Sequence, residues 1–555
     1  MATSTFDVGR TSQSEQVARS AGIVSLGIGV SRLTALVREI VMAHQFGAGF
    51  SYDAFLLGFR IPNLTRDLFA EGALSSAFVP AFTTALTRDG RREAMRLAHL
   101  VSTMTILVVG LLCVFGMIFA PQLVGLLAPG FALVPGKFVL AVRLTRIMFP
   151  FLLLVALAAQ AAGMLNSYGV FGLPALAATA FNLGSLACGL VLGFSLGPSV
   201  GITPIEGMAY GVVIGGILQL AWQLVRLRDF GFSCRVAWQW SHPALRQVMS
   251  LMIPAILGNA AVQINVIVNT SFASRLADPL RGYDGPVSWL GYAMRFIQVP
   301  LGLFGVAFAS AMLPSLARNA AHKNFEEFRK TLSRSLSLVF LFTIPSSVAL
   351  VLLGRPIIGV IFESGRFEAY DTRQTALALA CYSVGLLAYA SVKILNAAFY
   401  VLSDARTPMY ASLLSIAVNV CVPLVLLNYF HFGFASLALT TALAVTIEGL
   451  LLLECLRRKL GGIEGHYLAS RFARVTVASL LMGAAIFWIS RFAGDHLAAG
   501  RAAYWGQLAL AIPAAGLTFF LAAQLAGLKE IGFATGLFLA PLRARFLTAH
   551  ARIRS

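Results

Sequence analysis

The sequence predicts an all-α polytopic membrane protein with about 14 transmembrane helices, and three observations support this. Hydrophobic residues make up 58% of the 555 residues, charged residues only 12%, and the mean hydropathy is +0.80. Apolar runs of roughly 20 residues or more, the length that crosses a bilayer, recur along the chain. Basic residues are concentrated in alternate connecting loops. This composition is typical of a protein that folds in lipid and excludes a set of soluble globular domains.

The predicted spans cover most of the chain and are separated by short loops. We place them near residues 22–45, 51–87, 97–120, 138–166, 171–195, 205–225, 246–272, 286–317, 335–354, 374–403, 408–430, 432–456, 472–491 and 503–527. We expect no cleavable signal peptide, because Arg32 interrupts the first apolar run and an obvious cleavage site is lacking.

The spans group into two lobes of six helices, followed by two further helices. The segments are a polar cytoplasmic tail at 1–20, an N-terminal lobe at 21–228, a C-terminal lobe at 243–459, two C-terminal helices at 466–527 and a basic cytoplasmic tail at 528–555. The last two helices either pack peripherally or line a groove for a lipid tail. A groove of this kind suits a substrate with a polar head and a long apolar chain.

An internal repeat relates the two lobes. The sequence SAFVP at 76–80 recurs as SAMLP at 310–314, 234 residues later, and Leu-Asn at 165–166 recurs at 395–396, 230 residues later. Each repeat contains an even number of spans, so both lobes enter the membrane in the same direction, as in transporters with parallel repeats. The repeat therefore predicts a central cavity between two similar lobes.

The distribution of basic residues predicts the orientation of the chain. The net charge is +19, and the loops on one side of the predicted membrane carry about three times as many lysines and arginines as those on the other. The positive-inside rule then places both termini in the cytoplasm. Lys137, Arg275 and Arg281 are assigned to exterior loops. The basic residues lie in short loops rather than in a soluble domain, so we expect no nucleic-acid partner.

Seven of the charged residues within the predicted spans are the candidate functional residues. They are Arg32, Arg38, Asp53, Arg60, Arg66, Glu71 and Arg295. An ionised side chain at bilayer depth costs at least about 2.5–3.5 kcal/mol on insertion scales, so such residues face a cavity or a partner. At about 100° per residue, Asp53, Arg60 and Glu71 fall on one stripe of a helix. The repeat aligns Arg60 within a residue of Arg295, so both lobes contribute arginine to the cavity.

Two other interpretations of these charges stay open. Arg38 and Asp53 are close to the turn HQFGAGF at 44–50, and side chains at helix ends can extend to the lipid headgroups. Alternatively, arginine and glutamate form a static latch between the lobes, since charges within membranes tend to pair.

The choice of arginine indicates the chemistry of the substrate. A guanidinium group stays charged and binds phosphate oxygens through two parallel hydrogen bonds, whereas a proton relay needs groups that titrate. Several arginines around one cavity therefore favour an anionic, phosphate-bearing substrate. The six cysteines lack metal-ligand spacing, and the exterior loops lack paired catalytic carboxylates. We expect a transporter rather than an enzyme, with no cofactor and no metal site.

Four segments carry a resemblance to a known family. They are SRLTALVREI at 31–40, FGAGFSYDAF at 46–55, FRIPNLTRDLFAEGALSSAFVPAFT at 59–83 and SWLGYAMRFIQVPLGLFGVAFASAMLPSLAR at 288–318. The chain resembles the MurJ (MviN) lipid II flippases of bacteria, within the multidrug/oligosaccharidyl-lipid/polysaccharide exporter superfamily. The resemblance extends over the whole chain, and the AEGA-x-S-x-AFVP run is highly specific.

The resemblance implies roles for individual residues. It implies that the substrate-binding set in a V-shaped cavity is Arg32, Arg38, Asp53, Arg66, Glu71 and Arg295, with Arg60 where relatives often have lysine. The chain departs from many relatives at Met294 and Gln298, where they have acidic residues around the arginine. The surroundings of Arg295 are therefore more positive here, which leaves an ion-coupling role of those acids open.

The resemblance also implies a function. It implies a multi-pass protein of the bacterial inner membrane that flips lipid II, a lipid-linked peptidoglycan precursor, from the cytoplasmic to the periplasmic leaflet by alternating access. We expect it to function as a monomer, with coupling to the membrane potential or to a monovalent ion as an open question. The alternative is another exporter of the superfamily, either a polysaccharide-lipid flippase or an ion-coupled drug antiporter.

Overall fold

The computed structural model describes residues 5–66, 75–233, 235–239, 243–429, 433–496 and 500–528. Within these ranges the chain is almost entirely helical, and the only β-type pairings are two isolated bridges in loops. A helix satisfies its own backbone hydrogen bonds, which is the requirement that lipid imposes on a single segment. The basic tail predicted at 528–555 lies, apart from its first residue, outside the described residues.

The chain divides between Ser288 and Trp289 into two compact units. The helices that lie in unit 1 are α1 (Thr5–Phe46), α2 (Phe50–Arg66), α3 (Ser75–Thr84), α4 (Arg91–Ile118), α5 (Ala120–Leu127), α6 (Lys137–Met148), α7 (Phe151–Ser167), α8 (Gly172–Leu190), α9 (Gly197–Val200), α10 (Pro204–Asp229) and α11 (Pro243–Ser274). Helix α1 begins at Thr5, so residues 5–20 continue the helix of the first predicted span. The predicted lobe boundaries, at 228 and 243, stay a prediction.

Unit 2 contains the remaining helices. They are α12 (Pro286–Pro300), which begins at the end of unit 1, α13 (Ala307–Ala321), α14 (Phe325–Phe362), α15 (Ala369–Val384), α16 (Leu386–Val401), α17 (Arg406–Tyr429), α18 (Ala435–Lys459), α19 (Gly465–His496) and α20 (Arg501–Leu525). The long helix α14 packs against α13 and α16 through a core that includes Phe328 and Leu332. Its second half packs against α19 and α20 around Leu353 and Ile486.

The membrane class of the fold is confirmed. In the described residues, ten helical stretches are long and apolar enough to cross a bilayer, and an eleventh is the pair α15 and α16, which is bent by 43°. Each predicted span coincides with a helix. Three of these spans coincide with helices that are not among those eleven. The first span coincides with α1, the second with α2 and α3, and the seventh with α11. The total of 14 therefore stays a prediction.

The repeat is visible as matching features within each unit. The repeated pentapeptides lie in α3 and α13, each with an internal proline, Pro80 or Pro314. The fourth predicted span is interrupted between α6 and α7, and the tenth is interrupted at Gly385 between α15 and α16. A helix interruption at the same place in two related segments indicates a feature of the fold rather than a local accident.

Glycine allows the closest helix packing in unit 1. Helices α8 and α10 share an extended interface in which a Cβ atom at Gly211 would lie 2.4 Å from the carbonyl oxygen of Ser185 and 2.7 Å from the α-carbon of Gly189. Membrane helices have no water to drive their association, so close backbone approach of this kind supplies the dispersion energy that binds them.

Candidate functional site

Asp53 is the centre of a buried polar cluster in unit 1. Its side chain is fully buried at the start of α2. One carboxylate oxygen accepts a hydrogen bond from the backbone N–H of Ser288, at 2.9 Å, and another from the Ser288 hydroxyl. The other oxygen accepts one from the backbone N–H of Gly285, at 3.0 Å. Asp53 therefore caps the beginning of α12 from a distant part of the chain.

Lys137 supplies the positive charge of this cluster. It is the first residue of α6, and its side chain is fully buried. Its ammonium group lies 2.8 Å from Oδ2 of Asp53 and 2.6 Å from Oδ1 of Asp284, and it donates to the carbonyl oxygen of Tyr283 at 3.1 Å. The ammonium also lies 4.5 Å from the ring centroid of Phe131. The buried cation therefore has acceptors for its hydrogen bonds and carboxylates to balance its charge.

The Asp53 carboxylate is linked to the starts of three helices. Asp53 lies in the first turn of α2, pairs with the side chain of the first residue of α6 and caps α12. The N-terminus of α12 carries a partial positive charge, which favours the carboxylate that accepts hydrogen bonds from its N–H groups. We call the group of Asp53, Lys137, Asp284, Gly285 and Ser288 the Asp53 clamp. All five residues belong to unit 1, and they lie at or just before the starts of α2, α6 and α12.

The Asp53 clamp stabilises the structure. Every oxygen of the Asp53 carboxylate is occupied by donors, and the lysine is shared between two carboxylates. Removing one partner of a buried ion pair leaves an uncompensated charge and costs about 3–5 kcal/mol. The clamp therefore stabilises this arrangement of helices, and separating the helices requires breaking these contacts.

A second group of polar residues surrounds Arg38 on α1. Its guanidinium carbon lies 5.7 Å from the ring centroid of Phe59 and 5.4 Å from that of Phe181, and its side chain is 13% exposed. It donates to Glu39 at 3.4 Å, and Glu39 accepts a further hydrogen bond from the hydroxyl of Tyr52 at 2.8 Å. The aromatic rings orient the guanidinium, and a small part of the side chain is exposed.

Arg60 lies two helical turns after Asp53 on α2. Since about seven residues return to the same face of a helix, the two side chains share one side of α2. Arg60 is partly buried and donates a hydrogen bond to the hydroxyl of Thr270 on α11. Arg32 lies on α1 and is exposed. The structure therefore brings Asp53 and Arg60 to one helix face and places Arg32 and Arg38 on the first helix.

The structure describes the side chain of only one of the other three predicted site residues. Arg66 is the last residue of α2, and its side chain lies outside the described part of the chain, as does Glu71. Arg295 lies on α12 in unit 2 and is exposed. The convergence of Arg295 with the arginines of unit 1 on a common cavity stays a prediction.

The role of Lys137 was not predicted from the sequence. Its position predicted an exterior loop, whereas the structure buries its side chain completely in the clamp. One signal could have revealed it. Lysine is disfavoured at the first position of a helix, because the helix dipole repels a cation there. The preceding Gly136, with φ of 80°, marks the start of the helix, so Lys137 needed acidic partners to be stable in this position.

Unit 2 contains a contact at the equivalent place. Asp371, in the first turn of α15, follows Lys137 by 234 residues, which is the offset of the repeated pentapeptides. It is fully buried and accepts a hydrogen bond from the indole nitrogen of Trp289, at 3.0 Å. Each unit therefore connects the start of its second repeat helix to the start of its fourth by a buried polar contact.

Metal ligands do not cluster in the described part of the chain. Among the residues described there, no group of three or more histidine, cysteine, aspartate or glutamate side chains has the geometry to bind a metal ion.

Comparison with known proteins identifies the family. The family model described as lipid II flippase MurJ matches residues 42–503, a range that includes Asp53, Arg60, Arg66, Glu71 and Arg295. The lipid II flippase MurJ of Burkholderia cenocepacia is 33% identical over 471 residues, covering 83% of this chain and 87% of that protein. The probable lipid II flippase MurJ of Rhizobium tropici is 33% identical over 506 residues, covering 90% and 93%.

Solved structures share the fold. A lipid II flippase MurJ in an inward closed conformation superposes with a TM-score of 0.73 at 24% identity, covering 90% of this chain and 98% of that one. An inward-facing multidrug resistance MATE family transporter of the MOP superfamily superposes with a TM-score of 0.62 at 15% identity, covering 78% and 94%. The resemblance carried by the four sequence segments is confirmed, and the chain belongs to the lipid II flippase MurJ family of membrane transporters.

Proposed function

We propose that this chain moves lipid II from the cytoplasmic to the periplasmic leaflet of the bacterial inner membrane. The observation that carries the proposal is the match of the MurJ family model to residues 42–503, most of the chain. Two relatives named lipid II flippase or probable lipid II flippase cover more than four fifths of it. Lipid II combines a diphosphate, a sugar-peptide head and a long polyisoprenyl tail, so its carrier needs a polar path beside lipid.

The substrate site in this proposal is the set of charged residues in the first, second and eighth predicted spans. Arg32, Arg38, Asp53, Arg60, Arg66, Glu71 and Arg295 form that set. Arg38 supports it best, because its guanidinium is oriented by two aromatic rings and its side chain is partly exposed. An oriented guanidinium loses little entropy when it binds a diphosphate through paired hydrogen bonds.

Asp53, a member of this set, has a second role in the proposed cycle as the centre of the Asp53 clamp. The clamp connects the starts of α2, α6 and α12 at one end of unit 1, which is the periplasmic end if the N-terminus is cytoplasmic. The lipid headgroup has to leave on that side. We infer that the clamp stabilises a state closed to the periplasm and that its contacts separate when the headgroup leaves, as alternating access requires.

The proposed orientation places both termini in the cytoplasm, and the proposed functional unit is a monomer. An inside-negative potential then favours return of an empty, positively charged site, since one charge crossing 100 mV is worth about 2.3 kcal/mol. A fluorescent protein fused at the C-terminus tests the orientation, because it matures only on the cytoplasmic side. Absence of fluorescence, with the chain present in the membrane, would contradict it.

The decisive experiment measures transport directly. The purified full-length chain is reconstituted in liposomes that contain labelled lipid II, and the labelled headgroup that reaches the opposite leaflet is followed with and without an imposed potential. We expect translocation above protein-free liposomes, and loss of that excess in Arg38→Ala. In parallel, the gene is expected to support growth of a strain depleted of its own flippase. Transport of an organic cation without any translocation of lipid II would instead favour the drug-exporter alternative.

A further inference from the structure

A cavity of about 230 Å³ lies in unit 1 at the end opposite to the Asp53 clamp. Its walls are α4, α7 and α10, together with Phe232, Arg235, Val236 and Trp238 of the loop after α10. Helix α4 begins at this end, and α7 and α10 finish there. An engineered apolar cavity of roughly 150 Å³ binds benzene, so this cavity has room for part of a hydrocarbon chain.

The lining changes from polar to apolar along the membrane normal. His99 lies eight residues after the start of α4, about 12 Å along the helix axis, and Arg235 lines the same end. Leu107 lies about 24 Å along the axis, and Leu157 of α7 lines the same deep part. A cavity with a polar end near the loops and an apolar depth matches the polarity profile of one leaflet of a bilayer.

The polar side chains halfway down the cavity are already satisfied within the protein. Ser102 donates to the side-chain oxygen of Gln160 at 3.2 Å, and Gln160 donates to the carbonyl oxygen of Ala98 at 3.0 Å. Thr103 donates to the carbonyl oxygen of His99 at 2.9 Å and accepts from the backbone N–H of Ala237 at 3.0 Å. An ordered water needs two to four polar partners. Because these groups already bond to one another, a water molecule in the middle of the cavity would find few partners.

Two polar groups at the loop end have capacity for a ligand. Nε2 of His99 is buried and has no hydrogen-bond partner among the residues that the structure describes. Arg235 lines the same end of the cavity and is exposed. A guanidinium is suited to a phosphate group, which offers several acceptor oxygens and a negative charge, and Nε2 of His99 donates to the same group when the ring is protonated.

The cavity is continuous with surface that faces lipid. Ile106 and Leu107, on the wall formed by α4, are 48% and 38% exposed. Val236 and Trp238 are exposed apolar side chains on the loop side, and tryptophan is enriched where a protein crosses the headgroup region. The loop is fastened to α4, since Arg96 donates to the side chain of Gln239 at 2.6 Å. The exposed wall of α4 therefore gives a lipid molecule access to the cavity from the bilayer.

We propose that this cavity binds an anionic phospholipid of the surrounding bilayer, with one acyl chain in the cavity and the phosphate at Arg235 and His99. Basic pockets between membrane helices are known recognition sites for anionic headgroups, and the charge of Arg235 selects an anionic lipid over a zwitterionic one. The site is formed by unit 1 alone and contains none of the residues proposed to bind the transported substrate. It goes beyond the proposed function and does not depend on it.

The test uses native mass spectrometry of the purified full-length chain in detergent, titrated with phosphatidylglycerol or phosphatidylcholine. We expect the first phosphatidylglycerol to bind about fivefold more tightly than the first phosphatidylcholine, the effect of one arginine near an anionic headgroup. Arg235→Ala should remove this preference. Arg228→Ala is the matched control, because Arg228 is exposed at the same end of α10 and does not line the cavity, and it should retain the preference.

Filling the cavity tests the position of the acyl chain. Leu157→Trp should weaken the binding of both lipids, and Leu107→Trp at the exposed wall is a second variant in case the first unfolds. Thermal unfolding without added lipid checks that each variant is folded. Equal affinity of the wild-type chain for the two lipids, equal losses in Arg235→Ala and Arg228→Ala, or unchanged binding in a folded filled variant would overturn the proposal.

Discussion

The ammonium group of Lys137 lies 2.8 Å from a carboxylate oxygen of Asp53, and neither side chain has any exposed surface. The two residues are separated by 84 positions in the chain, and each lies in the first turn of a different helix. A buried ion pair of this kind contributes more to defining one arrangement of helices than to net stability, because desolvation of both charges offsets their attraction. Replacing one residue of the pair should therefore affect stability differently from replacing both.

Lys137→Met should destabilise the chain by about 3–5 kcal/mol, because it leaves Asp53 and Asp284 without their shared cation. The double variant Lys137→Met/Asp53→Asn should recover part of this loss, since it removes the uncompensated charge. Thermal unfolding of the purified proteins in detergent measures both effects. Arg228→Met, at an exposed position, is the control. Losses that simply add in the double variant would mean that the two residues are not energetically coupled.

Arg66→Ala and Arg295→Ala should accumulate in the membrane at wild-type levels and fail to support growth of a flippase-depleted strain. Each removes a guanidinium that we propose to bind the diphosphate, and the loss of one charge-assisted hydrogen-bond partner corresponds to at least about tenfold in transport rate. Lysine at either position should restore part of the activity, because it keeps the charge without the paired hydrogen bonds. Normal growth of the alanine variants would refute these roles.

Gly211→Ala should lower the thermal unfolding midpoint, whereas Gly516→Ala should leave it unchanged or raise it slightly. A Cβ atom at Gly211 would lie 2.4 Å from a backbone oxygen of α8, so the helices must separate, and overpacking of this kind costs about 1–3 kcal/mol. A Cβ atom at Gly516, in α20, meets nothing within 4 Å. The second variant therefore reports only the higher helix propensity of alanine. Equal midpoints for the two variants would contradict the close packing of α8 against α10.

Acid should remove the contribution of Asp404 to stability. This carboxylate lies in the loop between α16 and α17, where hydrogen bonds from Lys459, at 2.6 Å, and from the backbone of Thr407 lower the pKa of Asp404 to about 2. Because the pKa is lower in the folded state than the roughly 3.9 of an unfolded chain, the contribution is complete above about pH 4. It is then lost as the pH falls toward 2.

The difference in unfolding midpoint between the wild type and Asp404→Asn measures this effect. It should be constant from pH 7 to about 5 and should shrink below about 4. Asp229→Asn, on the exposed end of α10, controls for the general effect of removing a carboxylate. A difference that stays constant down to about pH 2.5 would show that the ion pair with Lys459 does not stabilise the fold.

Local sequence patterns were sufficient for the helices and for the repeat. Each apolar run long enough to cross a bilayer coincides with a helix, because a membrane leaves a single segment no other way to satisfy its backbone. The break at Gly385 inside the tenth span was not predicted, because the hydrophobic pattern continues across it. The break between α6 and α7 was not predicted for the same reason.

The candidate site was predictable in part. Asp53 and Arg60 were identified because a charge in an apolar run is costly unless it has a partner, and both have one. The identity of those partners was not predictable. Thr270 is 210 residues from Arg60, and Ser288 is 235 residues from Asp53, so periodicity within one helix contains no information about them.

The sequence by itself determined that this chain is a helical membrane protein with two related halves and that it belongs to a family of lipid carriers. Composition, apolar length and short motifs are local quantities, and the bilayer converts them directly into helices. Only the tertiary structure decided that Lys137, in a segment that reads as a loop, is the buried counter-ion of Asp53. Pairing of charges depends on which helix ends meet in space, and that is settled by the packing of the whole unit.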